Sequence, residues 1–144
     1  MNEALHGHTS FVVRTGRIFS LVYLATLTWL LFTPRPFAIL SGSLGDSAEH
    51  IQATVSDHVL HAGAFLLLSL LLLTFFRRPT GGPRLCLSFA ITGYAIVAEV
   101  AHNWIPMRSF QWSDLAANLA GILVGSLACQ LLLSKLALFK SAGS

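Results

Sequence analysis

The chain has 144 residues, 54% hydrophobic and only 10% charged, with a net charge of +3. A water-soluble domain of this size carries about a quarter charged residues and needs them to cover its core, so the composition excludes one and suits an exterior that faces lipid. The basic residues are scattered, with no run and no interleaved aromatics, which sets nucleic acid aside as a partner.

The first apolar segment covers about 17–33, "RIFSLVYLATLTWLLFT". Crossing the hydrocarbon core takes ~20 residues at 1.5 Å each, so this segment is short, but Arg14 and Arg17 can snorkel to the interface. Its alternative is a cleaved signal peptide with Ser41–Gly42–Ser43 as the cleavage region, for which the apolar run is long. The residues before it, like the last few of the chain, are expected to fray.

A longer polar connection, 34–56, begins "PRPF" and ends "GDSAEHIQATVS", with a short surface helix expected over Asp46–Ser56. The second apolar segment, about 59–76, follows. Asp57 and His61 stand four apart at its start and share one helix face. "RRPTGGPR", 77–84, is a basic turn broken by Pro and Gly.

The third segment covers about 85–105 and carries Glu99 and His102, three apart, near its end. With the helix ending near Ile105, Glu99 lies ~9 Å inside it, where a lipid-facing carboxylate is costly and a partner is required. Arg108, in the loop that follows, and His102 are the obvious partners. The fourth segment, about 115–134, opens with Asp114 and Asn118, four apart, with Ser113 as the expected N-cap. An acid in the first turn suits the helix dipole, so Asp114 has a structural reason to be there. Ser113, Ala117, Gly121, Gly125 and Cys129 recur every four residues and form a small-residue packing seam. That seam is internal or, as a homo-oligomer contact through the Gly121/Gly125 face, joins two copies. Cys86 and Cys129 fall within apolar segments and read as free, buried thiols.

Backbone groups in lipid must be satisfied internally, so each segment is a helix and the chain is an all-α integral membrane protein, a four-transmembrane-helix bundle in a single domain, 1–144. Arg14, Arg17, Arg77, Arg78, Arg84, Lys135 and Lys140 fall on one side, 7 of the 9 basic residues, and Arg35 and Arg108 on the other. The positive-inside rule then makes both termini cytoplasmic. Asp46, Glu49, Asp57, Glu99 and Asp114 fall on or near the outer side, with Trp29, Trp104 and Trp112 as an aromatic belt.

These residues resemble the VanZ-like family of membrane proteins. "DHVLHAGAF" (57–65) matches its Asp and the His four later, "EVAHNWIPMR" (99–108) its Glu and Pro-x-Arg, and "SDLAANLAGILVG" (113–125) its Asp, Asn and Gly spacings. The similarity covers roughly 17–134. Two positions depart from it: His58 stands where the family commonly has Lys, and His102 where it usually has Gln. The resemblance implies a small multi-pass protein of the bacterial cell envelope, in the cytoplasmic membrane. The family's namesake is associated with low-level resistance to the glycopeptide teicoplanin.

The expected site is therefore an outer-face polar cluster that binds or acts on a membrane lipid or lipid-linked envelope precursor. Glu99, His61 and Asp57 are the candidate acid–base residues, and Arg108, His102, Asp114 and Asn118 the substrate-binding ones. No Ser or Cys nucleophile stands beside a base, which argues against an acyl-enzyme. No cofactor motif is present. Metal binding by His61, His102, Glu99 and Asp57 is a weaker reading, because di-metal bundles use two Glu-x-x-His motifs and this chain has one. No metal ligand is assigned. The competing function is a non-catalytic network that is structural or binds a partner protein.

Overall fold

A computed structural model describes residues 2–34, 57–76 and 82–142, with side chains over 10–34, 57–76 and 85–135. Among the described residues the fold is all-helical: α1 (Asn2–Phe32), α2 (Asp57–Phe75), α3 (Gly82–Ala101) with a 3-10 turn (His102–Trp104), and α4 (Trp112–Ala142). The helix expected over 46–56 and the turn residues 77–81 lie outside them.

Four of these segments are long and apolar enough to cross a membrane: Ser10–Phe32, Asp57–Phe75, Leu85–Trp104 and Trp112–Lys135. Only 22–28% of each span is buried in the bundle, so the rest faces outward, and it is apolar. Phe11, Phe89, Val97, Leu123 and Leu131 are all more than half exposed. That exterior is compatible with hydrocarbon and not with water.

The helix ends differ from the expectation. The first span is 23 residues, not the shortest, because helical hydrogen bonding continues through the polar residues before Arg17. At the other end of the chain, α4 runs on to Ala142, so the expected fraying gives way to helix over both flanks. α3 stops at Ala101, four residues before Ile105, where the chain tightens into the 3-10 turn.

Lipid supplies no hydrophobic drive between helices, so close backbone approach and polar ties must hold the bundle. The tightest pairing is α2 with α4. A Cβ added at Gly121 would run into the Ala62 carbonyl oxygen, and one added at Gly125 would lie 2.7 Å from that of Leu66. The Gly121/Gly125 face is therefore taken by α2, and the small-residue stripe is an internal seam. The paired residues rise together along both helices (His61 with Asn118, Leu66 with Gly125, Thr74 with Cys129), so α2 and α4 run parallel.

α1 is antiparallel to α2, tied by Tyr23 Oη donating to Ala64 O at 3.1 Å and Arg17 Nε donating to Phe75 O at 2.9 Å. It is tied to α3 by the Thr28 and Tyr94 hydroxyls, 2.9 Å apart. The core between them centres on Phe65, Leu68, Ala95 and Ala98. An apolar crevice of about 370 Å³, lined in part by Leu24, Leu72, Leu87 and Tyr94, lies between α1, α2 and α3. Its described lining carries no carboxylate, imidazole or cation. Cys129 is buried as expected, but Cys86 is exposed on the outer face of α3.

Candidate functional site

The chemistry lies at one end of the bundle, where α1 and α3 finish and α2 and α4 begin. From α2 come Asp57, His58 and His61. His61 is buried, and its Nδ1 lies 3.0 Å from Asn118 Oδ1 on α4, itself 1% exposed. An amide oxygen only accepts, so Nδ1 donates and Nε2 is the nitrogen left for a further partner. One turn earlier, His58 Nδ1 lies 2.8 Å from Asp114 Oδ1. His58 is half exposed, whereas Asp114 is buried. The parallel register of α2 and α4 sets both contacts.

From the end of α3 comes Glu99, with 0% exposure. It sits two residues from the end of the α-helix, so its burial comes from the chain folding over it rather than from depth along α3. Its Oε1 accepts the backbone N–H of Gln111 at 3.0 Å and lies 3.4 Å from His102 Nδ1. Its Oε2 is buried and has no hydrogen-bond partner among the described residues.

Gln111 is the true N-cap of α4, because its carbonyl accepts the first helical bond, from Leu115 N at 3.1 Å. The expected cap, Ser113, lies inside the first turn instead. Asp114 is still in that first turn, so the dipole argument for it holds.

His102 and Arg108 close the site against α1. His102 Nε2 lies 3.2 Å from Leu31 O, and Arg108 Nη2 donates to Leu30 O at 3.3 Å. These carbonyls belong to the last turn of α1 and have no intrahelical partner, so the two side chains cap that helix. Arg108 Nη1 also lies 3.5 Å from His102 Nε2. The ring tautomer decides which contact at Nε2 is a hydrogen bond: an Nε2–H donates to Leu31 O, whereas an Nε2 without a hydrogen accepts from Arg108. The rings of His102 and His61 meet edge to face at 6.5 Å, which joins the two halves of the site.

The loop 105–111 is held firmly. Arg108 N donates to Ile105 O at 3.1 Å across a turn with Pro106 and Met107 at its centre. Met107 has φ 67°, a left-handed conformation usual for Gly in a turn of this kind. Asn103 Oδ1 accepts from Phe110 N at 3.0 Å. Trp104, Met107 and Trp112, each at least 75% exposed, surround the site with an apolar and aromatic rim.

All seven residues singled out from the sequence thus meet at this end of the bundle. Asp57, though exposed, brings its carboxylate within 4.8 Å of ligand atoms of His61 and Asp114. That donor set differs from the one considered from spacing, which included Glu99 and His102. Four participants were missed: His58, Asn103, Gln111 and the α1 carbonyls. Of these, only His58 stood out in the sequence, as a departure from the family resemblance, and the structure shows it as a partner of Asp114.

A family model described as VanZ/LLP1 matches residues 18–133 of this chain. No curated protein and no solved structure matches it.

Proposed function

The chain belongs to the VanZ/LLP1 family, and on that premise we propose that it is a multi-pass protein of the bacterial cytoplasmic membrane whose polar cluster binds, and acts by acid–base chemistry on, the phosphate-bearing headgroup of an envelope lipid or lipid-linked precursor. The distribution of Lys and Arg supports an orientation with both termini in the cytoplasm and the cluster at the outer surface. The observation that carries the proposal is Glu99: a wholly buried carboxylate, one oxygen without a partner among the described residues, beside the His102 imidazole, whose far nitrogen in turn lies 3.5 Å from the Arg108 guanidinium. Ionisable groups inside membrane segments are costly to keep, and function is the usual reason.

Arg108 has five N–H donors and commits few of them to Leu30 and His102, leaving capacity for a phosphate. Glu99, in contact with His102, is the group that would take a proton from, or return one to, the bound headgroup, and Asp57 and His61 lie on the α2 side of the cluster beside Asp114. Asp114 and Asn118 position the α2 side of the site. Teicoplanin susceptibility is the phenotype that the family resemblance suggests measuring.

The competing reading is a structural or partner-binding network. It is favoured by the capping bonds that Glu99, His102 and Arg108 already make. Purified protein in phosphatidylglycerol and in phosphatidylcholine nanodiscs separates the two. Both lipids carry a phosphate, offset by choline only in phosphatidylcholine; headgroup binding that is stronger for phosphatidylglycerol and lost in Arg108→Gln supports the proposal. Equal behaviour of wild type and variant in both lipids contradicts it.

A further inference from the structure

We infer that Asp57, His61 and Asp114 form a binding site for one divalent first-row cation of the Mn²⁺ or Zn²⁺ kind, at the mouth of the polar cluster. The donor set is mixed, two carboxylates and an imidazole, which suits these ions better than Ca²⁺ or Mg²⁺, whose ligands are oxygens. The residues come from two helices, α2 and α4, whose mutual register is fixed by the Gly121/Gly125 seam. One ligand atom from each lies within 4.8 Å of the others. A tetrahedral ion at about 2.0–2.2 Å from each holds its ligand atoms ~3.4 Å apart, so the three must close by up to ~1.4 Å, to which rotation of the exposed Asp57 side chain contributes.

A second observation points to a ligand. His61 is only 9% exposed, and Asn118 occupies its Nδ1. Its Nε2 takes no hydrogen bond among the described residues and is the nitrogen left to meet an ion. Metal-bound imidazoles are oriented in this way, by a carbonyl accepting from the other ring nitrogen. His58 plays a matching part at Asp114 Oδ1.

The two carboxylates, Asp57 and Asp114, lie within 4.8 Å of each other, a spacing at which a cation between them offsets their mutual repulsion. Three protein ligands leave coordination positions open, as in sites where an ion also holds a substrate oxygen. The ion's action on a headgroup phosphate rests on the lipid reading above; its binding does not.

The test is equilibrium dialysis of tag-free, full-length protein in detergent against Mn²⁺ or Zn²⁺, followed by elemental analysis. Wild type should retain about one ion per chain. Asp57→Asn, which alters an exposed side chain and should leave the fold intact, and His61→Gln should each lose it. Asn118→Ala should bind ~10-fold more weakly. His6→Gln with His8→Gln should bind like wild type. For Mn²⁺, the ¹⁴N hyperfine coupling should vanish in His61→Gln. Wild type at the buffer blank, or Asp57→Asn retaining the ion unchanged, overturns the inference. An empty protein that still selects phosphatidylglycerol overturns the cation site and spares the lipid reading. A loaded protein that selects no headgroup does the reverse.

Discussion

The carboxylate of Glu99, on the last turn of α3, accepts the backbone N–H of Gln111, the N-cap of α4, at 3.0 Å. One side chain thus joins α3 to α4, fixes the start of α4, and remains a buried carboxyl with one oxygen unpartnered among the described residues. This double character allows its structural and chemical roles to be separated by substitution.

Glu99→Gln keeps a carbonyl oxygen for the Gln111 N–H and removes the acid. Its thermal stability in detergent should stay close to wild type. Glu99→Ala leaves that N–H and the His102 ring without their acceptor, and should cost about 1–3 kcal/mol. Melting curves followed by circular dichroism compare them. Equal losses for Gln and Ala would remove the hydrogen-bonding account.

At Gly121 the space belongs to the α2 backbone. Gly121→Ala should weaken the α2–α4 pairing, and Gly121→Leu should prevent accumulation of folded protein, because a carbonyl cannot move aside as a flexible side chain can. Gly63 has open space where its Cβ would be, so Gly63→Ala is the control, expected to fold normally. Membrane-fraction yield and gel-filtration profile provide the readout.

His58→Lys should be tolerated, since an ammonium can donate to Asp114 Oδ1 as the imidazole Nδ1–H does. The pair is solvent-exposed on one side, so a double-mutant cycle with Asp114→Asn should give a coupling of under ~1 kcal/mol. A coupling several times larger would mean that the contact is sealed from water.

Met107 adopts φ 67° with its side chain 75% exposed. Met107→Gly should therefore stabilise the loop by ~1 kcal/mol, and Met107→Val should destabilise it, because a β-branched side chain fits the left-handed region poorly. Thermal melts of the two variants should move in opposite directions.

How much of this was legible beforehand follows from the physics of each feature. Four apolar runs near membrane-spanning length, flanked by basic residues and breakers, already imply four helices, because lipid permits little else. The candidate polar residues were equally visible, since charge in such segments is scarce. Helix ends were not: the 3-10 turn at His102–Trp104 is set by contacts with α1 and the loop, not by propensity. The burial of Glu99 depends on Gln111 and His102 folding over it, and the partner of Gly121 depends on which helix lies beside it. Likewise, His58 meets Asp114 only because α2 and α4 run parallel in a particular register, which periodicity within either helix cannot reveal.

The central claim is that the cluster around Glu99 does chemistry rather than only holding helices together. The most direct test is the envelope phenotype, scored as teicoplanin susceptibility, of cells producing wild type or Glu99→Gln at matched membrane levels and matched thermal stability. The account expects the wild-type effect to disappear in Glu99→Gln. A Glu99→Gln protein that is equally abundant, equally stable and fully active in that assay would contradict it.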